Sequence, residues 1–179
     1  MLRAASIYGY LDSIAKSGTP ILYRTGWQDV GTADGALCLF NSLPNPMQVV
    51  IGPWDHGMSS RADPYQPGEE AQPLPLEEKL GAILESIAGH LVPETEPSPN
   101  HVRSVNYYTY GADEWKSTSV WPPAGIQSQS FYFAENGSLS PQHPIDEAGQ
   151  DVYRVNPDAS TGRFNRWHTQ VGGAFVHHP

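Results

Sequence analysis

The feature that most constrains the fold is an alternation of strand and helix patterns in the first half of the chain. The apolar, β-branched run Thr19–Gly26 (TPILYRTG) is bounded by proline and glycine, which favours a buried strand. A helical pattern follows over residues 31–43, then a second strand pattern over 47–54 (MQVVIGPW), then a longer helical stripe over 76–91. Strand, helix, strand, helix predicts an α/β fold with a parallel sheet.

Both helix patterns are amphipathic. The apolar face of the first helix consists of Ala33, Ala36, Leu37 and Phe40. Thr32 is its candidate N-cap, and Cys38 inside it is predicted to be buried packing rather than a nucleophile. The second helix has an apolar stripe and a charged side, formed respectively by Leu76, Leu80, Ile83, Leu84, Ile87 and Leu91 and by Glu77, Glu78, Lys79 and Glu85. Such faces predict helices that pack on a sheet.

The second half of the chain has a different character. The segment 92–100 (VPETEPSPN) contains three prolines and is typical of a linker. Aromatic-rich strand patterns follow (VRSVNYYTYG and SQSFYFAENGSLS), with Asn136-Gly137 as a turn signal and no further helical stripe. We therefore predict an α/β part in residues 1–95 and the beginning of an all-β sandwich in residues 101–179.

Composition excludes several classes of partner. The formal net charge is -9 with ten Lys and Arg residues, which argues against nucleic acid and against an anionic membrane surface. No apolar run approaches the roughly 18 residues of a membrane span, and the opening residues lack a secretory signal, so the cytoplasm is favoured. No metal or cofactor motif is present, and the adjacent His177 and His178 have no ligand spacing, so no metal and no cofactor are expected.

An acid and a histidine follow the two predicted strands. Asp29 lies just beyond the first strand, in GWQD, and His56 lies just beyond the second, in GPWDHG. Open parallel sheets bind ligands at the carboxyl ends of their strands, and Asp before His is the order that α/β-hydrolases use. In such a pair the carboxylate holds the imidazole that activates a serine hydroxyl. Spacing alone supports equally well a turn acid that caps the following helix.

Other residues near these loops have competing interpretations. Asp34 is a rival carboxylate, but its place in the helix pattern favours a solvated acid. Asp55 adjoins His56 and is expected to be a loop hydrogen-bonder, because consecutive side chains of extended backbone point in opposite directions. Trp27 and Trp54 flank the two candidates and would line either a substrate pocket or the core.

The sequence motifs that contain these residues identify a protein family more specifically than the spacing of Asp29 and His56 does. GWQD, IGPWDHG and NPDASTGRFNRWHTQ together resemble the cocaine-esterase-like hydrolases, the family that also contains the X-Pro dipeptidyl peptidases (S15), α-amino-acid ester hydrolases and glutaryl-cephalosporin acylases. The resemblance implies that Asp29 is the catalytic acid and His56 the base. It also implies a jelly-roll domain after the α/β-hydrolase sheet, since YYTYGADEWKSTSVWPP and TGRFNRW are similar to segments of that domain.

One departure from the family is the nucleophile. The family's serine lies in a G-x-S-x-G elbow upstream of the acid, and no G-x-S-x-G occurs in the 179 residues. We expect a C-terminal fragment of a serine hydrolase that cleaves small esters, amides or short peptides, inactive alone and prone to form homo-oligomers. The alternative is a non-catalytic jelly-roll binding module, and a G-x-S-x-G encoded upstream of Met1 would distinguish the two.

Overall fold

A four-stranded mixed sheet organises the first part of the molecule. The computed structural model describes residues 6–29, 31–58, 75–91, 103–145, 149–150 and 152–159. The sheet has the order β1-β2-β3-β4, with strands β1 (Ile21–Gly26), β2 (Met47–Gly52), β3 (Ser104–Thr109) and β4 (Glu114–Thr118). The first three strands are parallel and β4 is antiparallel to β3. The predicted α/β fold is therefore confirmed.

Strands β1 and β2 end at the same level. Their register pairs Ile21 with Met47 at one end and Gly26 with Gly52 at the other. Parallel strands in this register deliver the loops that follow them to one edge of the sheet. The residues just beyond Gly26 and Gly52 are therefore neighbours at that edge.

The described part of the chain contains three α-helices before or between the strands of this sheet: α1 (Leu11–Ser17), α2 (Thr32–Ser42) and α3 (Leu76–Leu91). The predicted helices over 31–43 and 76–91 are confirmed. The apolar face of α2 packs on the side chains of alternate residues of β1, β2 and β3, and the core formed there includes Ala36, Leu37, Phe40, Met47, Val49, Ile51 and Val105. Helix α2 starts at Thr32 and its N-cap is Gly31, so the predicted cap at Thr32 is one residue late.

Arg103 closes the C-terminal end of α2 from a position just before β3. Its guanidinium donates to the carbonyls of Leu43 (2.6 Å), Asn45 (2.7 Å) and Phe40, and it lies 4.4 Å from the centre of the Phe40 ring. Carbonyls at a helix C-terminus have no partner within the helix, and a cation there is favourable. Arg103 thus ties β3 to α2.

Two burial predictions are wrong. Cys38 is exposed, because it lies on the side of α2 opposite to the Leu37 and Phe40 face. The apolar stripe of α3 is also largely exposed, with Leu76, Leu80, Leu84 and Ile87 at 46–67% of their full accessibility. Among the residues that the structure describes, no element covers that stripe, so amphipathicity alone did not predict burial here.

Residues 104–118 join the α/β sheet, whereas their aromatic-rich pattern predicts strands of the sandwich. Two compact units are present, Met1–Pro123 with Gly162–Pro179 and Ala124–Thr161, so the division falls after Pro123. The predicted linker 92–100 and the whole of TGRFNRW (161–167) lie outside the described residues. The domain bounds 1–95 and 101–179 stay a prediction.

The second unit contains a short hairpin. Strands β5 (Tyr132–Ala134) and β6 (Ser138–Ser140) are antiparallel. Asn136 and Gly137 between them have φ of 61° and 67°, the left-handed conformation that this dipeptide favours, so the predicted turn is confirmed. No jelly roll is formed by the described residues of this unit. No described helix in either unit has the length and apolar character needed to cross a bilayer.

Candidate functional site

Two main-chain hydrogen bonds join the loops that leave β1 and β2. The amide of Trp27 donates to the carbonyl of Gly52 (3.0 Å), and the amide of Gln28 donates to the carbonyl of Trp54 (3.3 Å). Gly26 makes this approach possible, because a Cβ there would collide with the Trp54 carbonyl. Gly52 in turn leaves room for the Trp54 ring. The glycines of GWQD and IGPW therefore act by allowing close contact between the two loops.

Asp29 is held by its own main chain. Its amide donates to the carbonyl of Gly26 (3.2 Å), and its carbonyl accepts from the amide (3.0 Å) and hydroxyl (2.7 Å) of Thr32. The Thr32 hydroxyl is also 2.5 Å from that of the buried Thr25. Helix α2 has no side-chain cap, so the alternative role of Asp29 as a capping acid is not what the structure shows. Its carboxylate is left for another partner.

That partner is His56. The histidine occupies a turn closed by a hydrogen bond from the Met58 amide to the Asp55 carbonyl (3.1 Å). Its Nδ1 lies 2.8 Å from Oδ1 of Asp29, and the two side chains are 65% and 8% exposed, respectively. A carboxylate on Nδ1 favours the tautomer with the proton on that nitrogen and leaves Nε2 as the proton acceptor. The two residues that the sequence singled out are thus brought together, one buried and one accessible.

The other residues considered near these loops have structural surroundings rather than a place beside the imidazole of His56. Asp34 is exposed in the first turn of α2. Asp55 is 1% exposed, and the Trp54 side chain is buried. Trp27 is half-buried and its indole donates to the Tyr108 carbonyl (2.7 Å), which ties the Asp29 loop to the end of β3. Trp27 and Trp54 therefore support the loops from within the fold.

Two cations at this edge were missed in the sequence. Arg24 lies 5.2 Å from the centre of the Trp54 ring and donates to the Lys79 carbonyl at the start of α3 (2.6 Å). Lys79 donates its ammonium to the carbonyl of Gly57 (3.3 Å), the residue after His56. The available signal was an arginine inside an otherwise apolar strand pattern, because such a residue needs a partner.

Protein metal sites usually combine three or more ligating side chains. Among the described residues, no three His, Cys, Asp or Glu side chains lie together as a metal site requires. The site consists of one carboxylate and one imidazole in direct hydrogen bond.

A buried aspartate that orients an accessible histidine, at the carboxyl edge of a parallel sheet, is the acid–base arrangement of the α/β-hydrolases. Residues 4–58 match the family described as X-Pro dipeptidyl-peptidase (S15 family). The chain is also 32% identical, over 180 residues, to proteins of Mycobacterium bovis and Mycobacterium tuberculosis named as candidate serine esterases. The match over residues 4–58 and the names of these relatives confirm the resemblance to the S15 family found in the sequence.

The alignments cover very different shares of this chain and of its relatives. The alignment covers 99% of this chain but 28% of each mycobacterial protein. The chain therefore spans less than a third of the length of the relatives that it matches.

Proposed function

We propose that Asp29 and His56 are the acid and base of a Ser-His-Asp triad that cleaves ester or amide bonds in small molecules or short peptides. The serine hydroxyl attacks the substrate carbonyl while Nε2 of His56 accepts its proton. The imidazolium returns that proton to the leaving alcohol or amine, and an acyl-enzyme remains. Water, deprotonated by His56, then attacks the acyl-enzyme and releases the acid.

The observation that carries this proposal is the 2.8 Å contact between Nδ1 of His56 and Oδ1 of Asp29. Burial of the aspartate strengthens its interaction with the imidazolium that forms during catalysis, because the local dielectric is lower than that of water. Exposure of the histidine ring leaves it accessible to a nucleophile and a substrate. The match to the S15 family and to serine esterases by name agrees with this chemistry.

The serine is proposed to come from a part of the enzyme that this sequence does not contain, since no G-x-S-x-G elbow occurs in it. Reading the gene upstream of Met1 tests that directly. In an enzyme that includes the elbow, His56→Ala is expected to lower turnover by about 10⁴- to 10⁶-fold. Asp29→Asn is expected to cost about 10⁴-fold through the wrong imidazole tautomer. Asp34→Asn is the matched control and is expected to change turnover little.

The chain of 179 residues offers a complementary test. We expect its hydrolysis of p-nitrophenyl acetate to stay at or below that of free imidazole at equal concentration. A fluorophosphonate is expected to leave it unlabelled, because such reagents need an activated serine. Stoichiometric adduct on Ser59 or Ser60, which lie outside the described residues, would contradict the missing-nucleophile proposal.

A further inference from the structure

The loop that carries His56 is contacted on both sides by basic residues that the proposed triad does not use. The ring itself is held through Nδ1, and its side chain is 65% exposed. Trp54, two residues before the histidine, is contacted by Arg24, and Gly57, one residue after it, is contacted by Lys79. An exposed ring on a surface turn keeps its orientation only as well as its main chain does.

Arg24 connects three elements at once. It extends from β1, its guanidinium faces the Trp54 ring, and it donates to the main-chain carbonyls of Lys79 (2.6 Å) and Glu78 (3.4 Å) in the first turn of α3. A guanidinium can do this because it is planar, with donors along its rim and a face that stacks on aromatic rings. A lysine ammonium has neither the planar face nor the spread of donors along a rim.

This arrangement of Arg24 has a cost that helix stability does not explain. Burial lowers the pKa of its guanidinium, with the charge of Glu78 acting in the opposite direction. Its Nε is buried and has no hydrogen-bond partner among the described residues. A cation near a helix N-terminus also opposes the helix dipole. A partly buried charge with an unbonded Nε is unfavourable, so the contacts that Arg24 makes must compensate for it. Here it joins the Trp54 ring to α3.

Lys79 completes the connection. Its carbonyl accepts a hydrogen bond from Arg24, and its ammonium donates one to the carbonyl of Gly57 (3.3 Å). The contacts therefore run in a closed path from Trp54 through Arg24 and the first turn of α3 to Gly57. The path begins and ends on the loop that presents His56.

We propose that Arg24 and Lys79 are positioning residues that fasten the first turn of α3 to the His56 loop and so keep the imidazole on Asp29. The inference rests on the proposed function only for its catalytic meaning, because the positioning itself can be measured in the chain without a nucleophile. In a complete enzyme it would appear as a lower kcat with little change in KM, since the ring and not the substrate is misplaced.

The experiment follows the Nδ1 proton of His56 by NMR in protein labelled with ¹⁵N-histidine, with His56→Gln used to assign the signal. The rate at which this proton exchanges with water reports how often the ring leaves Asp29. Lys79→Met removes the bond to Gly57 and is expected to raise the rate about fivefold, as loss of one modest hydrogen bond would. Lys79→Arg is expected to restore it to within about twofold. Lys16→Met, the same change in exposed α1, is the matched control and is expected to have no effect.

Arg24→Met tests the other half of the path and is expected to raise the exchange rate by at least about tenfold, since two carbonyl contacts and a ring contact are lost. If this variant does not fold, Lys79→Met still tests the positioning role, because the Lys79 ammonium lies at the surface and its loss should leave the fold intact. Exchange rates within twofold of the parent for Lys79→Met would overturn the inference. A raised rate combined with full activity of His56→Ala in a complete enzyme would instead refute the proposed function and leave the positioning role standing.

Discussion

Gly26→Ala is the most direct test of how the two site loops are held together. A Cβ at this position has no space, because it would overlap the main-chain carbonyl of Trp54. Backbone cannot rotate away as a long side chain can, so the two loops must separate. Separation would weaken the hydrogen bonds from Trp27 to Gly52 and from Gln28 to Trp54.

The size of the effect follows from these contacts. Two main-chain hydrogen bonds contribute about 1 kcal/mol each. Forcing a methyl group into a packed site typically costs a further 1–3 kcal/mol or so. We therefore expect Gly26→Ala to lower the free energy of unfolding by about 3–5 kcal/mol, a large part of the roughly 5–15 kcal/mol of a typical domain.

Urea unfolding followed by tryptophan fluorescence measures this loss, and the Nδ1 proton signal of His56 reports whether the contact with Asp29 survives. Gly35→Ala is the matched control, because a Cβ at Gly35 in α2 meets nothing within 4 Å. Alanine is the better helix former there and is expected to stabilise by up to about 1 kcal/mol. A Gly26→Ala variant as stable as the parent would refute the close contact between the loops.

Two further predictions concern stability away from the site. Arg103→Met removes a guanidinium from three carbonyls at the end of α2 and is expected to cost about 3 kcal/mol in urea unfolding, whereas Arg154→Met, at an exposed position, is expected to stay within about 0.5 kcal/mol of the parent. Equal effects of the two changes would contradict the role of Arg103. Partial desolvation of the half-exposed Tyr8 phenol raises its pKa, and its interaction with Cys38 adds to the rise. The native state then holds this proton more tightly than the unfolded state, so the free energy of unfolding should fall as pH rises above about 10, and Tyr8→Phe should lessen that fall.

The local elements of the first half were predictable because each is specified by residues close in sequence. The alternating burial of β2 and the apolar stripe of α2 come from short-range periodicity. The pairing of Asp29 with His56 was predictable for a different reason: strands that run parallel deliver their following loops to one edge.

What could not be predicted depends on partners distant in the chain. The aromatic-rich pattern of β3 fits a sandwich or an α/β sheet equally well, and only its pairing with β2 decides between them. The stripe of α3 was identified correctly as apolar, but its burial depends on whether another element lies against it. Arg24 presents the same difficulty, since its partners are main-chain carbonyls more than fifty positions away.

Strands β1 and β2 end side by side, at Gly26 and Gly52. This arrangement also determines where the molecule can be altered without disturbing the Asp29–His56 pair. The paired strands are six residues long. At about 3.3 Å per residue, the amino-terminal ends of these strands lie about 20 Å from the Asp29–His56 pair, which follows their carboxyl ends. Gly18 lies in the connection at these amino-terminal ends, exposed and in a left-handed conformation with open space around it. A fluorescent label or a fused affinity domain inserted there would report on the protein from a distance while the main-chain contacts around Gly26 and Gly52 stay intact.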